Sequence, residues 1–273
     1  MSTNLSTTSS KWLASATKQL EAENITTARL DAIIILEEVL GLPRIKLISE
    51  PNIPLNDQQI KELNKLLQRR LKDEPIAYIR GFSEFYGHKF YVDENVLIPR
   101  PESETFIDLV KQLDICKAKI ADVGCGSGCI GLSVKLELPE SKVVLIDISE
   151  SALSVARKNA DYLKVSADFK HSNLLEGAID DYDILLANLP YVPDEMSKLI
   201  NLSHEPALAL FAGNNGLVIY IKFWKQIKSL GLRPKYILCE SLIQQHDHMN
   251  HLALIADYEL SKTDGLIQLF KPI

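Results

Sequence analysis

Strand-like and helix-like segments alternate from residue 119 onward, and this alternation constrains the fold more than any other feature of the sequence. Short runs of apolar and β-branched residues predict strands over residues 119–125, 142–149, 167–173, 182–187 and 236–241. Helical periodicity predicts helices over residues 128–137, 151–163, 216–229 and 242–253. Such alternation is typical of an α/β fold with a doubly wound, mostly parallel sheet.

Two further strand-like runs, 256–260 and 265–270, follow the last predicted helix. A short Ser-Lys-Thr-Asp segment between them predicts a tight turn, and tight turns join antiparallel strands. The complete sheet is therefore predicted to have seven strands, of which the last pair runs antiparallel.

The first 75 residues carry helical patterns instead. Apolar residues at helical spacing predict helices around residues 12–20, 28–40 and 57–71, and Asn56 is placed to cap the third. Residues 77–97 are rich in aromatic and β-branched residues, which is typical of a β-hairpin. We therefore predict a helical bundle domain over residues 1–75, a β-hairpin linker over 76–100 and an α/β domain over 101–273.

Composition argues against several classes of protein. The 273 residues carry a net charge of −6, whereas proteins that grip bare nucleic acid are usually basic, so we expect no stable nucleic-acid binding. The longest early apolar run is too short to span a membrane. No CxxC pair occurs among Cys116, Cys125, Cys129 and Cys239, which indicates buried thiols in a reducing compartment. We expect a cytoplasmic monomer.

A metal site is not expected either. The histidines of the segment HDHMNH, residues 246–251, are spaced by two and three positions, whereas helical metal ligands are usually four apart. We interpret them as surface residues.

A glycine-rich loop follows the first predicted strand and begins a helix. It comprises Gly124, Cys125, Gly126, Ser127 and Gly128. Glycines let the backbone approach a nucleotide closely, and Asp147, about 20 residues on, is placed to bind ribose hydroxyls. The glycines alone fit NAD(P) and S-adenosyl-L-methionine equally. The acid at Asp122 favours the sulfonium cofactor, because a carboxylate beside a pyrophosphate would repel it.

A second motif, Asn188-Leu189-Pro190-Tyr191, follows the predicted strand over 182–187. The Asn188 side-chain oxygen and the Leu189 carbonyl can accept both hydrogens of an –NH2 group. Pro190 restricts the backbone of Leu189, and the ring of Tyr191 can form a wall. This tetrapeptide predicts a slot in which a planar, weakly nucleophilic nitrogen is modified.

Together these segments resemble one family. The segments LIPRPESE (97–104), DVGCGSG (122–128), LIDIS (145–149) and NLPY (188–191) look like those of the glutamine N5-methyltransferases of peptide chain release factors. The resemblance extends over nearly the whole chain. It implies a helical N-terminal partner-binding domain, a class I methyltransferase domain, S-adenosyl-L-methionine as cofactor, and the glutamine of a Gly-Gly-Gln loop as substrate.

The resemblance also implies roles for the site residues. The loop from Gly124 to Gly128 would hold the methionine part of the cofactor and Asp147 the ribose. Asn173 or Leu174 would lie at the adenine. Asn188, Leu189, Pro190 and Tyr191 would bind the glutamine amide. Between its two prolines, Arg100 is held rigidly at the mouth of such a site, and His204 and Glu205 are candidates for support.

Two departures leave alternatives open. Leu189 stands where the family has proline, and Asn173 stands where it commonly has aspartate. The form Asn-Leu-Pro-Tyr is also found in the rRNA adenine N6-dimethyltransferases. One alternative is therefore an adenine N6-methyltransferase acting on RNA or DNA, in which the same slot grips an exocyclic amine. A third possibility is a catalytically impaired module that only binds cofactor.

Overall fold

The computed structural model of the chain describes residues 7–115, 117–198 and 204–273. These residues form two compact units, one ending at Gly81 and the other beginning at Phe82. The boundary lies inside the segment 76–100 that the sequence predicted as a linker, so the β-hairpin belongs to the second unit. Cys116, one of the four predicted thiols, lies outside the described residues.

The described part of the first unit contains five helices. They are α1 (Ser9–Ala22), α2 (Ala28–Leu40), α3 (Arg44–Ser49), α4 (Asp57–Arg70) and α5 (Ile76–Arg80). Their apolar faces share one core, in which Leu20, Ile35 and Leu63 are fully buried. At the start of α4 the Oδ1 of Asn56 accepts the backbone N–H of Gln59 at 2.8 Å, as the sequence predicted.

Three of these helices match the predicted ones and two do not. The sequence did not predict α3 and α5, which have six and five residues. Helices of this length make fewer than two turns, so they show no helical periodicity. Residues 77–80, which were predicted to open the hairpin, are part of α5 instead.

The second unit begins with an antiparallel hairpin of β1 (Phe82–Phe85) and β2 (His88–Tyr91). Its main sheet has the order β5-β4-β3-β6-β7-β9-β8. The strands are β3 (Lys119–Val123), β4 (Lys142–Asp147), β5 (Asp168–His171), β6 (Ile184–Ala187), β7 (Tyr236–Glu240), β8 (Tyr258–Asp264) and β9 (Ile267–Pro272). Strands β3 to β7 are parallel, and β9 is antiparallel to both neighbours. The predicted seven-stranded α/β fold is confirmed.

Helices cover both faces of this sheet. They are α6 (Thr105–Lys111), α7 (Cys129–Glu137), α8 (Glu150–Leu163), α9 (Val218–Ser229) and α10 (His246–Ile255). Successive side chains of a strand point to opposite faces, and β6 shows this directly. Leu185 and Ala187 pack in one apolar core with α9 and α10, whereas Ile184 and Leu186 pack in a second core with α6, α7 and α8.

The position of the last turn was predicted wrongly. Ser261 to Asp264 belong to β8, and the chain reverses at Gly265 and Leu266. Residues 261–264 are exposed and polar because they lie on an edge strand, and this composition imitates a turn. Gly265 takes the left-handed conformation, with φ +57°, that the reversal requires.

The topology places a crevice at one edge of the sheet. From β3 the chain proceeds outward through β4 to β5 and then returns to β6 on the other side of β3. Ligands of open α/β sheets bind where the strand order reverses, at the carboxyl ends of the strands. The glycine-rich loop follows β3 and the NLPY motif follows β6, so both lie at this crevice. Across the described ranges, no helix is long and apolar enough to cross a membrane.

Candidate functional site

A cavity opens at the carboxyl ends of the parallel strands. It encloses about 1140 Å³, including the part open to solvent, and its walls are mainly apolar. A concave, mainly apolar surface with a few polar groups is typical of a site for a small ligand. The predicted site residues that line it are Gly124, Cys125, Gly126, Ser127, Asp147, Asn173, Leu174, Asn188, Leu189 and Pro190.

Two predicted site residues do not line this cavity. Gly128, with φ +77°, precedes the first residue of α7 and shapes the turn into that helix. Tyr191 directs its hydroxyl group to Glu240, to which it donates a hydrogen bond at 2.9 Å. Tyr191 therefore contacts the end of the neighbouring strand, β7. The sequence had predicted instead that its ring forms a wall of the slot.

The glycine-rich loop and the NLPY motif touch each other. Gly124 takes the left-handed conformation, with φ +74°, and a Cβ at this position would lie 2.9 Å from Cδ2 of Leu189. The backbone N–H groups of Gly124 and Cys125 donate to the carbonyl of Ile146 at 2.8 and 3.0 Å, which ties the loop to β4. Only a residue without a side chain fits at position 124.

Asp147 braces this loop while lining the cavity. Its Oδ2 accepts the N–H of Gly126 and its Oδ1 accepts the N–H of Ser149, both at 2.9 Å. Burial raises the pKa of Asp147, and these backbone donors oppose the rise. Each carboxylate oxygen has a further lone pair, so Asp147 can also accept hydrogen bonds from the hydroxyl groups of a ribose.

Asp122, the residue before the last one of β3, is not among the residues that line the cavity. Its carboxyl group is buried, and Oδ2 accepts the N–H of Gly131 at 2.9 Å. Burial raises the pKa of Asp122 to about 7. The group supports the start of α7 from inside the protein. The thiol of Cys125 is also held protonated, because burial raises its pKa well above the ordinary value.

A buried glutamine holds the segment that contains Asn173 and Leu174. Gln226 of α9 accepts the N–H of Leu175 at 2.8 Å through Oε1, and its Nε2 donates to the carbonyl of Asn173 at 3.3 Å. Leu174 takes a left-handed conformation, with φ +56°. Sequence reasoning missed Gln226. A polar residue inside an otherwise apolar helical stripe was the available signal.

Asn188 belongs to a chain of hydrogen bonds that ends on a buried carboxylate. Its Nδ2 donates to Oγ of Ser103 at 3.0 Å, and that hydroxyl donates to Oε2 of Glu240 at 2.6 Å. The other carboxylate oxygen, Oε1, accepts from Tyr191. Burial raises the pKa of Glu240, and the hydrogen bonds that Ser103 and Tyr191 donate oppose the rise.

Two acceptors at the cavity remain open. Among the described residues, no donor binds Oδ1 of Asn188 or the carbonyl oxygen of Leu189. The rest of Leu189 is engaged: its N–H donates to the hydroxyl group of Tyr220 at 3.3 Å, and its side chain is buried. The two open acceptors are those that the sequence predicted for an –NH2 group.

The segment before α6 forms another wall. Asn95, Val96, Leu97, Pro99 and Arg100 line the cavity, whereas the sequence had singled out only Arg100. The guanidinium group of Arg100 donates to Oε1 of Glu205 at 2.6 Å, and Oε2 accepts the N–H of Ile98 at 3.1 Å. Glu205 therefore supports this wall.

The second unit has the fold of the class I S-adenosylmethionine-dependent methyltransferases. Residues 103–205 match the family described as the methyltransferase small domain. A methyltransferase from Pyrococcus furiosus has a similar fold, with a TM-score of 0.51 and 13% sequence identity over 76% of this chain and 96% of that protein.

Comparison with curated proteins identifies the family. Residues 11–81 match the PrmC N-terminal domain. The release factor glutamine methyltransferase of Coxiella burnetii is 40% identical over 232 residues, 82% of this chain and 84% of that protein. The corresponding enzyme of Flavobacterium psychrophilum is 37% identical over 73% of each chain. The chain belongs to the release factor glutamine methyltransferase family.

Other relatives are longer. A bifunctional methyltransferase of Rickettsia bellii is 34% identical over 284 residues, which is 91% of this chain but 51% of that protein. The chain therefore spans about half the length of these bifunctional relatives.

The lining of the cavity fits S-adenosylmethionine. Asp147 supplies a carboxylate for a ribose diol, and Ile148, Ala152 and Leu174 provide apolar surface for a purine. Gly124 to Ser127 line the part of the cavity in which the polar methionine end would lie. Within the ranges that the structure describes, no cluster of three histidine, cysteine, aspartate or glutamate side chains could hold a metal ion.

Proposed function

We propose that this protein transfers a methyl group from S-adenosylmethionine to the side-chain amide nitrogen of the glutamine in the Gly-Gly-Gln loop of peptide chain release factors. The observation that carries the proposal is the pair of open acceptors, Oδ1 of Asn188 and the carbonyl oxygen of Leu189, at one cavity with Asp147 and the glycine-rich loop. Membership of the family supports the choice of release factors as substrates.

The two acceptors address the difficult part of the reaction. The lone pair of an amide nitrogen is delocalised into its carbonyl group, so the nitrogen is a weak nucleophile. Hydrogen bonds from both of its N–H groups to Asn188 and Leu189 orient this nitrogen and favour a pyramidal geometry. When bound, the cofactor supplies a methyl group on a sulfonium, which leaves as a neutral thioether. One N–H proton of the methylated amide is then lost to water, because that cation is strongly acidic.

The remaining predicted site residues receive roles on the cofactor side. Gly124 to Gly128 form the turn around the methionine part, Asp147 binds the ribose, and Asn173 and Leu174 lie at the adenine. Asn188 is assigned to both the cofactor site and the acceptor slot, because it adjoins the glycine-rich loop and supplies one of the two acceptors. Pro190 fixes the backbone direction of Leu189, and Tyr191 holds the motif against β7 through Glu240.

The first unit is proposed to bind the release factor. A Gly-Gly-Gln loop alone offers little surface, whereas stable protein–protein interfaces bury about 1200–2000 Å² in total. A helical unit that precedes the cofactor-binding unit can supply the missing area. Because release factors act at the ribosome, we propose that the protein works in the cytoplasm, and as a monomer.

Mass spectrometry tests this function directly. A release factor is incubated with the protein and S-adenosylmethionine, and we expect one methyl group on the glutamine of the Gly-Gly-Gln tryptic peptide. A release factor with Gly-Gly-Ala at this position is the matched control and should remain unmodified. Transfer of a labelled methyl group into RNA, with none into the release factor, would contradict the proposal in favour of an adenine substrate.

A further inference from the structure

A buried carboxylate, that of Glu240, lies behind the acceptor slot. Glu240 is the last residue of β7 and is 1% exposed. β7 pairs with β6, so Glu240 lies beside the start of the NLPY motif. Among the described residues, no lysine, arginine or histidine forms an ion pair with it. Burying a carboxylate without a counter-charge is costly, so its charge depends on the hydrogen bonds that Ser103 and Tyr191 donate to it.

The hydrogen bonds around Glu240 have a fixed direction. An ionised carboxylate only accepts hydrogen bonds, so the hydroxyl group of Ser103 must donate to it. A hydroxyl has one proton, and Ser103 therefore presents only lone pairs to Asn188. The side chain of Asn188 must in turn present its NH2 group to Ser103, which leaves Oδ1 for the cavity. Tyr191 donates to the second carboxylate oxygen, so it does not change the donor and acceptor roles of Ser103 and Asn188.

Shape alone would not fix this arrangement. The oxygen and the NH2 group of an asparagine side chain are nearly equal in size, so a flipped amide fills the same space. A flipped Asn188 would offer a donor to the cavity, and an –NH2 group of the substrate would meet two hydrogens instead of an acceptor.

We propose that Glu240 is a positioning residue that fixes which end of the Asn188 amide faces the substrate, and that it thereby makes the slot select an amide over a carboxylate. The inference rests on the proposed function, since it assigns the substrate group that the slot accepts. With Oδ1 of Asn188 and the carbonyl of Leu189 both facing the substrate, a glutamate in place of the glutamine meets two acceptors and no donor. A flipped Asn188 removes that rejection.

Two substitutions test the role of Glu240. Glu240→Gln keeps the shape but allows a donor to face Ser103, and Glu240→Leu removes both acceptors. Asp183→Asn is the matched control, because Asp183 accepts the N–H of Lys119 at 2.9 Å at the amino ends of the strands, away from the cavity. For each variant we would measure kcat and KM with the release factor, inhibition by a Gly-Gly-Glu release factor, cofactor affinity and thermal stability.

We expect kcat to fall by about 10-fold in Glu240→Gln, in which a neutral acceptor remains, and by about 100-fold in Glu240→Leu, in which the charged acceptor is lost. The preference for binding Gly-Gly-Gln over Gly-Gly-Glu should fall less in Glu240→Gln than in Glu240→Leu, and by at least about 10-fold in the leucine variant. Cofactor affinity should stay within a few-fold, and Asp183→Asn should behave as the unsubstituted enzyme.

A substrate preference that is the same in all variants would overturn the inference, whether or not the rate falls, because a merely structural role lowers the rate without changing the selectivity. If the leucine variant does not fold, the substrate preference of the glutamine variant alone tests the inference. If the unsubstituted enzyme methylates no release factor, the proposed function fails. The positioning role is then decided by the side-chain ¹⁵N–¹H signals of Asn188, which should shift in Glu240→Gln and remain unchanged if Glu240 has no such role.

Discussion

Oγ of Ser103 lies 3.0 Å from Nδ2 of Asn188, although 85 positions separate the two residues in the chain. Ser103 belongs to the short turn that precedes α6, and Asn188 follows β6. The contact occupies the donor end of the Asn188 side chain and leaves its acceptor end to the cavity. It joins the segment LIPRPESE to the NLPY motif, two segments that the sequence could relate only by family resemblance.

Asn188→Ala should lower the rate of methyl transfer by about 10²- to 10³-fold, because it removes one of the two acceptors that orient the substrate nitrogen. Cofactor affinity should change by no more than a few-fold. Single-turnover kinetics and calorimetric titration measure the two effects separately. A variant that turns over at the unsubstituted rate would exclude the acceptor slot as the catalytic device.

Asp147→Ala should weaken binding of S-adenosylmethionine by about 1.5–3 kcal/mol, since charge-assisted hydrogen bonds to the ribose are lost. The carboxylate also holds Gly126 and Ser149, so part of the loss reflects a looser loop. Asp161→Ala, an exposed change on α8, is the control. An unchanged binding isotherm for Asp147→Ala would contradict the assignment of this residue.

Leu189→Pro keeps the carbonyl acceptor, and the sequence alone predicts that it is tolerated. The structure adds a cost in stability, because proline cannot donate to Tyr220 and fills less of the buried space around position 189. We expect a loss of about 1–3 kcal/mol in the free energy of unfolding with activity retained. Chemical denaturation and kcat measurements check this. A folded but inactive variant would indicate that the leucine side chain itself contacts the substrate.

Asp122→Asn should change how stability depends on pH. In the folded protein the pKa of Asp122 is about 7, whereas its ordinary value is 3.8, so between these pH values the folded state binds more protons than the unfolded state. Stability therefore decreases as pH rises through this window. Asparagine can still accept the N–H of Gly131 but does not titrate. The melting temperature of the variant, relative to that of the unsubstituted protein, should therefore increase as the pH is raised from about 5 to about 8. A constant difference would mean that Asp122 is ionised throughout.

Removal of the first unit, leaving residues 82–273, should preserve cofactor binding. All residues that line the cavity lie at position 95 or later, and the second unit has its own apolar cores. Methylation of an intact release factor should fall strongly, whereas methylation of a short Gly-Gly-Gln peptide should change little. Equal losses for both substrates would mean that the helices support the site rather than the partner.

The sequence by itself determined the elements whose signals are local. Helix α4 spans more than three turns with a clear apolar face, and α2 is a long apolar segment that ends at Gly41. Most strands of the parallel sheet are compact apolar runs, so these elements were predictable. The glycine-rich loop and the NLPY motif each carry their chemistry within a few consecutive residues. Short elements such as α3 and α5 lack enough turns to produce a periodic pattern, and the polar edge of β8 resembled a turn.

Tertiary structure alone decided which distant groups meet. Alternate residues of a strand face opposite sides of the sheet, and a sequence does not state which side a given residue faces, so the contact of Asp122 with Gly131 could not be predicted. The contact of Ser103 with Glu240 spans 137 positions, and that of Arg100 with Glu205 spans 105. Such contacts arise from the strand order, which brings the ends of β6 and β7 together. The sequence therefore determined which groups could act on an amide, and the packing of the sheet decided how those groups are oriented.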